Sequence, residues 1–148
     1  AAKAVFAAGF DITVIPWDQL TLRDAVFSRE QLAEIAAIGT PLSSFFTRMV
    51  DATLAFDESV AIPGSTPPHS LTAAVLLHPE LVTAHARYAV DIETGSDLTR
   101  GYSAMSWGGH ELEPNARVIE SVDAAGFFAL IRDVLSHSMT PSRSISGL

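Results

Sequence analysis

At 148 residues the chain amounts to a single domain; with 48% hydrophobic and only 18% charged residues it can bury a core, which excludes a disordered chain. Seventeen Asp and Glu against nine Lys and Arg leave a net charge of −8, a surface that a nucleic-acid duplex or an anionic membrane repels. The absence of Cys excludes a disulfide framework, a thiolate zinc site and a cysteine nucleophile, and a cytoplasmic protein is expected.

The opening Ala1-Ala2-Lys3-Ala4-Val5-Phe6 carries no signal segment and reads as though the numbering begins inside a helix. Residues 2–8 are expected to be helical and to stop at Gly9. Asp11-Ile12-Thr13-Val14-Ile15 follows as a strand between Gly9 and Pro16, so helix, Gly and strand read as the second half of a βαβ-type unit. Ser28 with Gln31 three residues on is a capping-box pattern, and Leu32, Ile35 and Ile38 mark the apolar side of the helix it starts. Thr40 as cap and Pro41 at the first helical position start a longer helix, whose Leu42, Phe45, Phe46, Met49, Val50, Thr53 and Leu54 form an apolar face.

Residues 57–68 read as a Pro/Gly/Ser/Thr-rich loop, followed by a helix from about His69 to Leu77 and a short turn at Pro79. The uncharged stretch from Ser59 to Pro79 is broken by Pro63, Gly64, Pro67 and Pro68, so it is not read as a membrane span. Tyr88 to Glu93 alternates, 99–106 pairs with it across Gly95-Ser96-Asp97, and Ala116 to Val122 makes a third strand. Asp123 then caps a final helix bearing Phe127, Phe128, Leu130, Ile131, Val134 and Leu135. The C-terminal part is therefore expected to be an antiparallel meander closed by one helix, with a single strand left to represent any parallel sheet. Ser136 to Leu148 holds five Ser and a Pro in thirteen residues, so 1–136 is taken as the folded part and 137–148 as a flexible tail.

No Gly-rich phosphate loop, zinc-binding HExxH or nucleophile elbow is present. Gly108-Gly109-His110-Glu111 reads as a connection between strands, and the carboxylate pairs Asp57-Glu58 and Glu111/Glu113 are expected to face solvent. His78 and His85 are seven apart with Pro79 between them, which does not make a helical two-His metal site. His69 differs. It follows the stiff Thr66-Pro67-Pro68 and leads into an apolar helix, a place where free N–H groups form an anion-friendly mouth. The same position is equally that of an ordinary first-turn residue with no chemistry.

Four segments together resemble the C-terminal half of the inosine-uridine-preferring nucleoside hydrolases. Ala2 to Phe10 with Asp11-Ile12-Thr13-Val14-Ile15-Pro16-Trp17-Asp18 is similar to the family's helix and strand ending in a Leu-Asp-x-Thr turn. Pro68-His69-Ser70-Leu71-Thr72-Ala73-Ala74-Val75-Leu76-Leu77-His78-Pro79-Glu80-Leu81 is similar to its His-Asp-Pro-Leu-Ala helix and following Asp-Pro-Glu. Val90-Asp91-Ile92-Glu93 to Leu98-Thr99-Arg100-Gly101 is similar to its Val-Glu hairpin, and Pro114-Asn115-Ala116-Arg117-Val118 to Phe127 to its Asn-Val strand and closing helix. The likeness covers residues 1–136 and rests on the order and spacing of these segments.

The resemblance implies part of an α/β nucleoside-hydrolase-like fold: helices plus a small antiparallel meander, with the main parallel sheet incomplete. It implies cleavage of the N-glycosidic bond of ribonucleosides, a calcium ion held by several Asp, an Asp that takes the proton of the metal-oriented water, and a His that protonates the departing base. A homo-oligomer is expected, with no nucleic-acid partner and no membrane. The family's Asp-x-Asp-x-x-x-Asp-Asp cluster has no counterpart in these residues, and its Glu-x-Asn motif would fall ahead of Ala1. One alignment places Pro68 at the family's His and His69 at its calcium-binding Asp; the other places His69 at the His and Ser70 at the Asp. Either way a carboxylate is lost, and imidazole or hydroxyl is a poor substitute for a hard cation. Asp18 is retained, although Trp17-Asp18-Gln19-Leu20-Thr21 departs from the family's turn and serves equally as a plain strand-end turn. Two functions follow: a hydrolase whose catalytic Asp cluster lies outside the chain, this chain alone being inactive, or a non-catalytic binding or assembly module with the same fold.

Overall fold

The computed structural model describes residues 1–106 and 112–137. A short helix α1 (Ala2–Phe6) leads through Gly9, at φ +77°, into β1 (Ile12–Val14). A π-helical turn (Trp17–Thr21) and the single turn α2 (Leu22–Asp24) then precede α3 (Arg29–Ala37) and α4 (Pro41–Ser59). Both expected caps are present. Ser28 and Gln31 exchange hydrogen bonds at the start of α3, and the Thr40 hydroxyl accepts from the Ser43 amide at the start of α4. Next come α5 (Pro68–Leu77), a 3-10 turn (Pro79–Leu81), β2 (Val82–Tyr88), β3 (Val90–Ile92), β4 (Ser103–Met105), β5 (Ala116–Val122) and α6 (Ala124–Ser136).

The strands form two sheets, and here the expected meander is corrected. β3 and β4 pair antiparallel as the anticipated hairpin, but β5 does not join them. It lies between β1 and β2, parallel to β1 (Ile12↔Ala116 to Val14↔Val118) and antiparallel to β2 (Tyr88↔Ala116 to Val82↔Val122). β1 is therefore not alone in representing a parallel sheet. β2 was not anticipated, because Val82-Thr83-Ala84-His85-Ala86-Arg87-Tyr88 is an edge strand with largely exposed side chains and no clear apolar alternation. Two further boundaries move: α4 continues to Ser59 where a loop from residue 57 was expected, and α5 starts one residue before His69. The Gly108-Gly109-His110-Glu111 connection and residues 138–148 of the expected tail lie outside the described residues.

Val118 and Ile119 are neighbours on β5 and belong to different clusters, as alternation across a strand requires. Ile119 faces the helices, packing into a core with Leu20, Phe27, Ile35, Leu71 and Phe127. Val118 faces the other way, towards Val90, Phe6 and Met105 of the hairpin and α1. No helix among the described residues is long and apolar enough to cross a membrane.

Candidate functional site

In sheets with parallel strands, ligand sites gather beyond the carboxyl ends of those strands. β1 ends at Val14, and the chain turns sharply there. The Thr21 amide and hydroxyl both donate to the Pro16 carbonyl at 3.2 Å, closing the π-helical turn around fully buried Leu20 and Thr21. With that inner side pinned, Trp17 and Asp18 stand on the outside. Trp17 is the wall between two cavities. One, of about 570 Å³, lies between the turn and β4 and includes Asp18, whose Oδ1 accepts from the Gln19 amide at 2.9 Å. The other, of about 410 Å³, runs between α4 and the first turn of α5.

This second cleft contains His69 and Ser70, together with Pro68. The expectation that His69 opens a helix holds in place, with Pro68 at the first helical position and His69 exposed at the mouth. The opposite wall is apolar and aromatic: Phe46, Met49, Val50 and Phe56 of α4, with Trp17 at the side. Asp18 and His69 thus border different cavities and meet only through Trp17.

Asp57 corrects the expectation of a solvent-facing pair. It is 2% exposed, and its Oδ2 accepts from the Thr66 amide at 2.7 Å and the Thr66 hydroxyl at 2.8 Å. Its main-chain carbonyl accepts from the amides of Val60 and Ile62. One residue thereby folds the segment after α4 back and aims Thr66-Pro67-Pro68-His69 into α5. Glu58 does face outward, gripping Arg29 at 2.5 and 2.7 Å; Glu111 lies outside the described residues. The signal for Asp57 was in the sequence: Ser43, Val50 and Asp57, seven apart, are the buried residues of α4. Gly64 completes the return. It lies at φ +147°, where an added Cβ would come within 2.4 Å of the Phe27 carbonyl, beside the Phe27–Ser65 backbone bridge.

A second unforeseen carboxylate holds the end of the sheet. Past Val118, β5 has no strand on its β1 side, and side chains take over. Arg23 donates to the Glu120 carbonyl at 2.6 Å, while Asp24 accepts from the Val122 amide at 3.1 Å and the Ser121 hydroxyl at 3.3 Å. Hydrogen bonding from Arg23 holds the Asp24 carboxyl below the usual carboxylate range, against the opposing effect of partial burial, with Val122 and Ser121 helping.

The other histidines among the described residues stay apart from the cleft. His78 closes α5 and its Nδ1 lies 3.0 Å from Glu80, His85 is exposed on β2, and His137 contacts the Asp133 carbonyl. Among the described residues no three His, Asp or Glu converge on a point that could hold a metal ion. At the α5 mouth imidazole and hydroxyl are offered, and the nearby Asp57, with Oδ2 held by Thr66, adds a single free carboxylate oxygen. That donor set does not fit calcium.

Comparison with known proteins adds three findings. The family model described as "Inosine-uridine preferring nucleoside hydrolase" matches residues 1–129. The pyrimidine-specific ribonucleoside hydrolase RihA of Shigella flexneri is 32% identical over 140 residues, which cover 91% of this chain and 43% of that protein; RihA of Escherichia coli K12 is 31% identical over the same coverage. Among solved structures, the purine-preferring ribonucleoside hydrolase from Gardnerella vaginalis superposes with a TM-score of 0.72 at 21% identity (91% of this chain, 42% of that one). The plant nucleoside hydrolase PpNRh1 does so with 0.74 at 15% (91% and 44%). The chain spans less than half the length of the curated relatives it matches.

Proposed function

Because the chain belongs to the inosine-uridine preferring nucleoside hydrolase family, we propose that the polypeptide it forms part of cleaves the N-glycosidic bond of ribonucleosides, releasing the base and ribose. The family match over residues 1–129 carries this reading. In it, the base occupies the cleft between α4 and α5, where the ring faces of Trp17 and Phe56 supply flat apolar surface. His69 stands at the mouth and hands a proton to the leaving base, which makes it the catalytic residue this chain contributes.

The carboxylates that stabilise a developing positive charge on the sugar come from outside this chain, ahead of Ala1. We assign no step to calcium, because the donors at His69 and Ser70 do not fit it. The free edge of β1 is where the absent part of the parallel sheet would add its strands. We place the protein in the cytoplasm as a homo-oligomer, with a ribonucleoside as its small-molecule partner.

The test is ribose release from inosine, uridine and cytidine, with and without added calcium, by the 148-residue chain and by the longest natural polypeptide that carries it. Turnover by the longer form and none by the short chain is the expected pattern. Calcium-dependent turnover by the short chain would overturn the assignment of the acidic cluster to another segment. The second reading, a non-catalytic module, is favoured by one observation: no carboxylate stands at the start of α5. Absence of turnover in the longer polypeptide, with calorimetry detecting no calcium binding, would establish it. Restored binding in only one of His69→Asp and Ser70→Asp would decide between the two alignments.

A further inference from the structure

Among the described residues lining the cleft between α4 and α5, one buried side chain keeps an oxygen that the protein leaves unused. Asp57 is 2% exposed, yet both Thr66 donors go to the same oxygen, Oδ2. Oδ1 takes no hydrogen bond and is not sealed from the cleft that Asp57 borders. Water reaches Oδ1 in the open cleft, but a ligand seated against Phe46, Met49, Val50 and Phe56 displaces that water, so one that brings no donor leaves the acceptor unpaired at a cost that one with a donor avoids. The surrounding surfaces suit a flat ring, and about 410 Å³ lies within the usual size of a small-molecule site.

We propose that Asp57 Oδ1 determines the specificity of this cleft by accepting a hydrogen bond from an exocyclic amino group on a flat heteroaromatic ring, of which cytosine is the simplest case. The link from this preference to catalysis rests on the hydrolase reading above; the binding preference itself needs no turnover. Uracil's N3–H is flanked by carbonyls on both sides, so one of them must lie against the carboxylate. Cytosine's amino group has a C–H on one side and can donate from there. A site built around a buried hydrogen-bonding group discriminates strongly against ligands that leave it unpaired.

The arrangement also predicts a reversal. In Asp57→Asn the two Thr66 donors still require an oxygen, so the amide oxygen stays on Thr66 and the NH2 group turns to the cleft. An acceptor becomes a donor without a change of shape.

The test titrates cytosine, uracil and N4,N4-dimethylcytosine, each as its 1-methyl derivative so that N1 carries no proton, into the longest natural polypeptide that carries this chain and into its Asp57→Asn variant, following the Thr66 amide and Trp17 indole resonances. The native chain should bind cytosine about tenfold more tightly than either other ligand, and the variant should prefer uracil. Equal affinities, a native preference for uracil or dimethylcytosine, or no binding of any of the three would overturn the proposal. If Asp57→Asn does not fold, the three ligands on the native chain decide, since dimethylcytosine lacks the donor and uracil lacks the amino group without added bulk. The two readings fail separately. Selective cytosine binding with no ribose release in the longest polypeptide overturns the hydrolase reading alone; ribose release without the cytosine preference overturns this one alone.

Discussion

The two faces of the central sheet are closed by different means. On the helix side, Phe27 is buried against the rings of Phe127 at 5.5 Å, Phe128 at 5.7 Å and Phe46 at 6.4 Å, at the centre of a large apolar core. On the hairpin side the buried cluster is small, Val90, Ala116 and Val118, and the join is made by Asn115. Its Nδ2 donates to the carbonyls of Phe6 and Val90, and its Oδ1 accepts from the Val90 amide. Apolar packing is non-directional and large; a side-chain amide is directional and small. The helix side should therefore govern global stability, and the hairpin side should govern where the second layer sits.

That contrast breaks if substitutions on the two faces act alike. Phe27→Ala should cost about 3–5 kcal/mol, measured as a lower urea midpoint with cooperative loss of all structure. Asn115→Ala should cost about 2 kcal/mol and act locally: amide exchange in β3 and β4 should rise while α3 and α6 stay protected. Global unfolding at the same denaturant by both variants, with uniform loss of protection, would remove the distinction.

Two smaller effects sharpen it. Asp24 fastens β5 at its helix-side end, and its folded carboxyl is held below the ordinary value of 3.8. A depressed carboxyl stabilises the fold above that ordinary value, and the contribution is lost as pH falls through the folded-state value. Native protein should thus exceed Asp24→Asn by about 1 kcal/mol at neutral pH, with the gap closing as pH falls below about 3.8. A gap that widens on acidification would contradict the assignment. Smallest of all, Lys3→Ala breaks the exposed Lys3–Asp91 pair between α1 and β3 and a long bond to the Ile92 carbonyl, and should shift stability by less than about 0.5 kcal/mol in thermal melts.

The helices were legible because their signals are local. The Ser28–Gln31 box, the Thr40 cap with Pro41, and Asp123, which accepts from the Gly126 amide, are each contained within a few residues. The hairpin was legible for the same reason. The partner of β1 was not, since Ala116 is Ile12's neighbour only in space, and nothing near either residue marks the pairing. β2 stayed hidden because an exposed edge strand need not alternate. At the site, the two prolines before His69 identified the mouth of α5, whereas Asp57 was misread through its neighbour Glu58. Two adjacent acids usually face water together, but on a helix they stand about 100° apart, and the seven-residue spacing of Ser43, Val50 and Asp57 was the better guide.

The parallel pairing of β1 with β5 has a consequence in time. Within this chain β1 is made early and its partner a little over a hundred residues later, as the register Ile12↔Ala116 requires. At ribosomal speeds that interval is roughly 5–20 s, very long beside the microseconds in which a hairpin closes. During it the edge of β1 that β5 will fill offers hydrogen-bonding groups to any other chain that passes. Only three residues belong to β1, and Thr13 at its centre is exposed and polar. So short a strand, with a polar residue at its centre, is a weak template for the wrong partner, and the chain can leave it waiting.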